Sequence, residues 1–485
     1  MKTVISLLFI SLWANCVYSN ELLQEDINRD LGYINHPSRK WVKPRLDKSG
    51  SEILNVAIIG GGQTGLTMAF SLQRHHVDGV KVFDLHKEDH AGSWINIGKM
   101  NTLRTPKSTT GPDLGIPSLS VQSWYSAKYG KDAWEKLTYI PRLSWHDYLN
   151  WYRTVLNLPV QFESYVHPLE WNEEMQCFSF KVTTPKGESV IFARKVILAV
   201  GLEGSGEWMI PDFIKRNVSK KCYTQAVYRA TPEQLKGKDI AILGAGPNAF
   251  DLTLVSKKCG AKSITMFSKR KKLVNLHCFK WGEFTGFMKC FSQLDDDQKY
   301  SFIARMHEMG QPPIPKCVEA AYSYPNFNLR FSSPWKNAYQ KGDRVVVVTK
   351  DGEHEYDFLI LATGWVADLT KRKELANFCD KIATWEDKYT PPKGRRYDKL
   401  MKFPYLGKGF QFVEKAAGEA PYLNSLFNMT GGGLLSNGFC AGTGLTGMKY
   451  SIDHITQEIV SQFFLEDADT IYDSLDSYSE YDFQN

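Results

Sequence analysis

The sequence predicts an α/β protein with two glycine-turned βαβ units, the second inserted into the domain built by the first. Three observations carry this. A buried strand, a glycine-rich turn, an apolar helix and a second strand follow one another over residues 54–84. The same succession returns about 180 residues later, over residues 239–267. Apolar strands at 195–201 and 358–364 flank the second unit, which brackets it as an insertion into a discontinuous first domain.

In the first unit the strand 54–59 runs straight into Gly60-Gly61-Gly62-Gln63-Thr64-Gly65, and a helix from 64 to 75 follows. Each glycine of the Gly60, Gly62, Gly65 pattern has its own task. Gly60 makes the tight turn, Gly62 lets a pyrophosphate approach the backbone, and Gly65 lets the helix pack on the sheet, with the helix N-terminus at Gln63 and Thr64 offering free N–H groups to phosphate. The second strand, 80–84, ends on Asp84, 19 residues beyond Gly65, where a carboxylate accepts hydrogen bonds from a ribose. Strand, turn, helix and acid in register predict a Rossmann-like dinucleotide site.

The second unit repeats the pattern with Gly244, Gly246 and Ala249, and Asn248 stands inside the turn. Alanine is small enough for the third position. Its second strand, 263–267, ends not on an acid but on Ser268-Lys269-Arg270-Lys271-Lys272. A carboxylate there would repel a 2′-phosphate, whereas the Ser268 hydroxyl and the cations of Lys269 and Arg270 attract one. The second cofactor is therefore expected to be NADPH.

Composition sets the remaining bounds. The 485 residues carry 59 basic and 53 acidic side chains, a net +6 spread along the chain, which calls for neither a nucleic-acid nor an anionic-lipid partner. Residues 1–19, with Lys2 ahead of an apolar run and small residues near Ser19, read as a cleavable signal peptide, so a secreted or secretory/periplasmic location is expected. The run is short for a signal anchor, and no stable membrane insertion is expected. Residues 20–53 are expected to be an extended arm over the main domain, and 466–485 an acidic disordered tail. Eight cysteines follow the signal, none in a CxxC, which removes the redox dithiol of a disulfide reductase. Of two glycosylation sequons, at Asn217 and Asn428, the second lies beside a glycine-rich loop and is expected to be unused. No HExxH, metal-ligand cluster or nucleophile triad occurs.

Residues 84–94, closing on Gly92-Ser93-Trp94, the run 357–364 and the glycine-rich 431–447 followed by Met448-Lys449-Tyr450 join the two glycine turns in a resemblance. Together they resemble the flavin-dependent monooxygenases with two dinucleotide-binding domains: flavin-containing, Baeyer–Villiger and N-hydroxylating monooxygenases. The resemblance implies FAD at the first turn with Trp94 near the flavin, and Thr443 and Met448 at a helix end that faces it. It implies an FAD part at residues 54–215, an NADPH domain at 216–357 and a second FAD part at 358–465. It further implies that NADPH reduces FAD, that oxygen adds at the flavin C4a position as a peroxide, and that one oxygen atom passes to a small organic substrate. Arg104, in the loop 101–108, falls where the family places a group beside the flavin, and is the candidate for holding NADP⁺ or substrate. The family's histidine fingerprint ahead of the second turn is replaced by Asn217, Ser219 and Tyr223, with Tyr228 nearby. At this point an NADPH oxidase or reductase without a long-lived peroxide, and a secreted non-catalytic cofactor-binding protein, remain open as alternatives.

Overall fold

The structure is a computed structural model that describes residues 21–35, 38–225, 230–441, 444–480 and 482–483. The expected signal peptide, Tyr228 and Thr443 lie outside these residues.

Two sheets organise the chain, the first mixed with a parallel centre and the second parallel throughout. In the first, strands Val160–Gln161, Val80–Phe83, Glu52–Ile59, Gly187–Leu198 and Leu426–Asn428 lie side by side, all parallel. Their centre is apolar on both faces, with Val56 and Ile58 buried under helices on one side and Ala57 under antiparallel strands and the loops of residues 369–423 on the other. Helix α1 (Gln63–Arg74) is buried without interruption from Thr64 to Leu72. It is squeezed between this sheet and a long C-terminal helix, to which Ser71 is joined by a 2.8 Å hydrogen bond with Thr456. Sequence order along the sheet reverses between Glu52–Ile59 and Gly187–Leu198, and open α/β sheets take ligands at such a switch point, beyond the carboxyl ends of the strands.

The second sheet holds Phe327–Arg330, Ser263–Phe267, Asp239–Leu243, Phe358–Leu361 and Tyr223–Gln225, again all parallel. Phe358–Leu361 therefore belongs here, and the expected start of the second FAD part at residue 358 is corrected to a point beyond Leu361. An all-apolar parallel strand carries no mark of which sheet it enters. Here Phe358 pairs in register with Ile240. The return to the first domain is made by Trp365–Ala367, which pairs antiparallel with Gly206–Trp208, so outgoing and incoming chains form one ribbon. A Cβ on Gly206 would lie 1.9 Å from the Val366 carbonyl oxygen, and only glycine permits this pairing.

Both ends of the chain depart from expectation. Residues 21–33 are helical rather than extended, with Leu23 and Ile27, four apart, buried in the core that α1 also feeds. The remainder of the arm does lie on the first domain: the Trp41 indole donates to the His75 carbonyl at 2.9 Å, and Arg45–Leu46 pairs with the start of the Glu52–Ile59 strand.

The acidic tail is not disordered at its start. The C-terminal helix runs through Glu466, and a further helix spans Ala468–Asp476. Arg194, on the central strand, donates to Glu466 at 2.9 Å and to both Asp467 oxygens at 3.1 Å, Lys195 pairs with Glu466, and Arg45 reaches Asp467 at 3.2 Å. Two cations buried in a sheet need counter-charges, and this segment supplies them.

Among the described residues all eight cysteines are free, and no helix is long and apolar enough to cross a membrane. Asn428 is fully buried, its amide held by Ser205 and Thr430, which closes that sequon.

Candidate cofactor sites and the cleft between them

The two glycine turns are built alike. Gly60 N–H donates to the Phe83 carbonyl at 2.8 Å and Gly244 N–H to the Phe267 carbonyl at 2.9 Å, each tying the turn to the neighbouring strand end. Both glycines have positive φ, +109° and +111°, and a Cβ would lie 2.5 Å from the Ala199 oxygen at the first and 2.4 Å from the Ala362 oxygen at the second. The third position closes helix on strand. A Cβ at Gly65 would stand 1.9 Å from the Gly60 oxygen, whereas the second unit accommodates Ala249, fully buried.

The middle glycines face open space. Nothing lies within 4 Å of a Cβ at Gly246, and at Gly62 the one neighbour is the Gly92 Cα at 3.4 Å. Neither α1 nor helix α2 (Pro247–Lys258) has a side-chain cap, so the first-turn N–H groups are left for an external acceptor. These cradles fit the pyrophosphates of two dinucleotides.

At the first site Asp84 is buried. One carboxylate oxygen accepts from Gly61 N–H at 2.7 Å and the other from His86 N–H at 2.8 Å, so the group is fixed and keeps lone pairs for ribose hydroxyls. The hydrogen bond to Asp84 raises the pKa of His86 above the ordinary histidine value. Gln63 is oriented by the Trp145 indole, which donates to its side-chain oxygen at 3.2 Å. Trp94 packs edge-on against that same Trp145, with centroids 6.3 Å apart, and its carbonyl accepts from Arg142. Dense aromatics in this region read as packing in the sequence. Trp145 packs, and it also couples Trp94 to Gln63 of the turn.

At the second site Ser268 is buried and its hydroxyl accepts from Arg270 N–H at 3.1 Å, with Lys269 and Arg270 exposed beside it. Sequence reasoning missed Arg330, at the end of the adjacent strand. Its carbonyl accepts from Ser268 N–H at 2.9 Å and its guanidinium stands 5.9 Å over the Phe267 ring, a neighbour relation that exists only after the strands pair.

Arg104 is partly exposed on the face of its own domain that meets the second. It reaches across to the second unit, where it pairs with Asp251 on α2 and lies 3.4 Å from the Asn248 side-chain oxygen. Met448, by contrast, is a packing residue. It sits in the first turn of α3 (Leu445–Glu466) with its side chain 1% exposed, its sulfur accepting from Thr67 of α1 at 3.4 Å, so only its backbone can serve a ligand.

The N-terminus of α3 is walled by residues that the sequence did not single out. Thr446 donates to Glu283 at 3.4 Å, and Phe279 and Phe439 face each other at 4.8 Å. The segment carrying Phe279 and Glu283 follows the second glycine unit in sequence and folds back onto the first domain.

Comparison with known proteins bears on this arrangement. Residues 57–203 match a family described as FAD-NAD(P)-binding, and residues 133–367 match the L-lysine 6-monooxygenase/L-ornithine 5-monooxygenase family. The chain is 33% identical over 461 residues to an FAD-dependent urate hydroxylase of Xanthomonas campestris pv. campestris, covering 95% of this chain and 96% of the relative. The chain belongs to the flavin-dependent monooxygenases with two dinucleotide-binding domains. Solved structures with this fold include ornithine hydroxylase from Pseudomonas aeruginosa, with a TM-score of 0.66, 14% identity and coverage of 85% of this chain and 100% of that one. The ornithine N-hydroxylase of Kutzneria sp. 744, in a structure with reduced FAD, NADP⁺ and L-ornithine, gives a TM-score of 0.64 at 14% identity, covering 84% of this chain and 99% of that one. This monooxygenase uses FAD and NADPH to place oxygen on a small organic substrate, and the readings of a non-catalytic binding protein and of a plain oxidase give way to it.

Proposed function

We propose that this monooxygenase hydroxylates urate or a closely related planar, nitrogen-rich ring, with FAD seated at the Gly60–Gly65 turn and NADPH at the Gly244–Ala249 turn. The observation that carries the substrate reading is identity of 33% running through 95% of this chain to a urate hydroxylase. The amine hydroxylase structures, at 14% identity, speak for the fold alone. Two local features support a flat heteroaromatic substrate: the paired rings of Phe279 and Phe439, which offer stacking surface, and the Glu283 carboxylate beside Thr446, which can accept a ring N–H.

Bound flavin, once reduced by NADPH, supplies the oxygen-activating chemistry, and the protein binds, orients and keeps water out. Asp84 accepts from the FAD ribose while Gly62 and the N-terminus of α1 take its pyrophosphate. The backbone N–H groups opening α3 at Gly444 and Leu445 favour negative charge on a flavin ring placed against them. Ser268, Lys269 and Arg270 receive the 2′-phosphate of NADPH.

The substrate reading is tested by supplying urate, L-ornithine and L-lysine separately to the purified enzyme with NADPH and isotopically labelled dioxygen. One labelled oxygen in the urate product per NADPH oxidised is expected. Labelled hydroxylamine from ornithine or lysine, with urate unchanged, would overturn the reading. For the cofactor, Lys269→Ala with Arg270→Ala is expected to raise KM for NADPH by roughly tenfold or more while moving that for NADH less than about twofold, because only NADPH carries the extra phosphate. Equal changes would remove the assignment.

Export belongs to the same proposal. The apolar run after Lys2 and the small residues near Ser19 support a cleaved leader, and the N-terminal sequence of the natively produced protein is expected to begin at or close to Asn20. A mature chain that still starts at Met1 contradicts it.

A further inference from the structure

Asp251 has no part in the glycine-turn motif. It lies one turn into α2 and is 7% exposed, and a carboxylate so placed is costly unless paired. Its partner comes from the other cofactor domain. Arg104, 147 residues earlier, places Nη2 on the Asp251 carboxylate and within 3.4 Å of the Asn248 side-chain oxygen, inside the second glycine turn. Arg104 Nε is buried with no partner. Cys317 Sγ lies 4.0 Å from Asp251, and burial pushes the Asp251 carboxyl above its usual range against the pull of Arg104. Within the first domain, the loop that carries Arg104 is anchored by Leu103, buried in the α1 core, whose N–H donates to the Ile140 carbonyl at 2.8 Å.

The two cofactor domains are joined by the ribbon of Gly206–Trp208 and Trp365–Ala367 and by apolar packing of Phe287, Tyr300 and Ile303 against Trp385, Met401 and Leu435. At the cofactor helix itself, the Arg104–Asp251 ion pair ties α2 to a core-anchored loop of the first domain. We propose that Asp251 is a positioning residue: it holds Arg104 and thereby fixes the NADPH helix against the FAD domain at the separation hydride transfer requires, leaving the Arg104 cation beside the phosphate cradle. The proposal rests on the assignment of NADPH to the second turn. Reaction between held groups is steep in distance, and a displacement of about 1 Å costs on the order of a hundredfold. Loss of the pair is therefore read in the rate of flavin reduction more than in NADPH affinity.

The test is anaerobic mixing of the FAD-loaded enzyme with NADPH, following flavin bleaching over a range of NADPH concentrations. Asp251→Asn is expected to lower the limiting reduction rate by tenfold to a hundredfold while the half-saturating NADPH concentration moves less than about threefold, with dithionite bleaching the same flavin at the wild-type rate. Arg104→Gln should lower the limiting rate likewise, with a larger rise in the half-saturating NADPH concentration because the cation beside the cradle is also lost, and the limiting rate of the double variant should be no slower than that of the slower single one, because both break one interaction. The reciprocal exchange, Arg104→Asp with Asp251→Arg, should recover part of the rate. A wild-type limiting rate in Asp251→Asn, or effects that multiply in the double variant, would overturn the proposal. If Asp251→Asn loses its flavin, Asp251→Glu keeps the charge on a longer arm and is read the same way, slowed reduction supporting the proposal and a wild-type rate overturning it. Wild-type enzyme that NADPH fails to reduce at all would instead count against the cofactor assignment.

Discussion

Deleting residues 466–485 is expected to destabilise the protein by roughly 3–5 kcal/mol, the usual cost of leaving buried charges without their partners. Arg194 and Lys195, with side chains 1% and 2% exposed, point from the central strand of the first sheet, and Glu466 and Asp467 carry the carboxylates that meet them. Removing the acids strands both cations against the Phe463 ring, which the Arg194 guanidinium overlies at 4.5 Å. Denaturant unfolding measures the loss. A second deletion starting after Asp476, which spares the Ala468–Asp476 helix and the ion cluster, should change stability by less than about 0.5 kcal/mol. Equal stability of the two truncations would show that the cluster contributes little. Burial raises the Glu466 pKa, but the charges of Lys195 and Arg194 outweigh it and leave the group below the ordinary range. A carboxyl depressed on folding contributes stability that is complete above its unfolded pKa and is lost as pH falls through the folded value. The stability gap between wild type and Glu466→Gln should accordingly narrow as the solution is acidified below the ordinary carboxylate range, and a gap that widens on acidification would reverse the sign.

Gly65→Ala is expected to abolish FAD retention. Its Cβ would need to occupy space 1.9 Å from the Gly60 carbonyl oxygen, so α1 must swing away from the turn, a distortion of about 1–3 kcal/mol that spoils the cradle directly. The purified variant should carry less than about a tenth of the wild-type flavin, read from its absorbance, since a helix N-terminus moved off its phosphates loses its donors together. Gly246→Ala provides the contrast. No protein atom lies within 4 Å of that Cβ, so the fold and the FAD are expected to survive while NADPH binding weakens by roughly tenfold, because the methyl group fills the space a pyrophosphate needs. Full flavin content in Gly65→Ala would show that the helix can relax without harm.

The glycine turns were legible because strand, turn and helix are contiguous, and the pattern is fixed by what each position must do: Gly60, Gly65 and Gly244 allow close backbone approach, while Gly62 and Gly246 keep space open. What could not be read lay in long-range pairings. Arg194 and Glu466 are 272 residues apart, and nothing in an acidic terminal segment announces that two buried cations await it. Phe358–Leu361 looks the same whichever parallel sheet receives it. Arg104 could be marked only by a family position, while Asp251, an acid on a helix, resembled any solvated residue until the domains met. One departure had an available signal: Leu23, Ile27 and Leu31 recur at a spacing of four, the helical period, within a segment whose later prolines and lysines suggested extension.

Anaerobic titration of the FAD-loaded protein with NADPH tests the central claim most directly, that one chain holds a flavin at its first glycine turn and NADPH at its second. Stoichiometric bleaching of the flavin by NADPH is expected in the wild type, with Gly246→Ala requiring far more NADPH yet bleaching normally with dithionite. A flavin that NADPH leaves oxidised in the wild type, or one that Gly246→Ala reduces as readily as the wild type does, would contradict it.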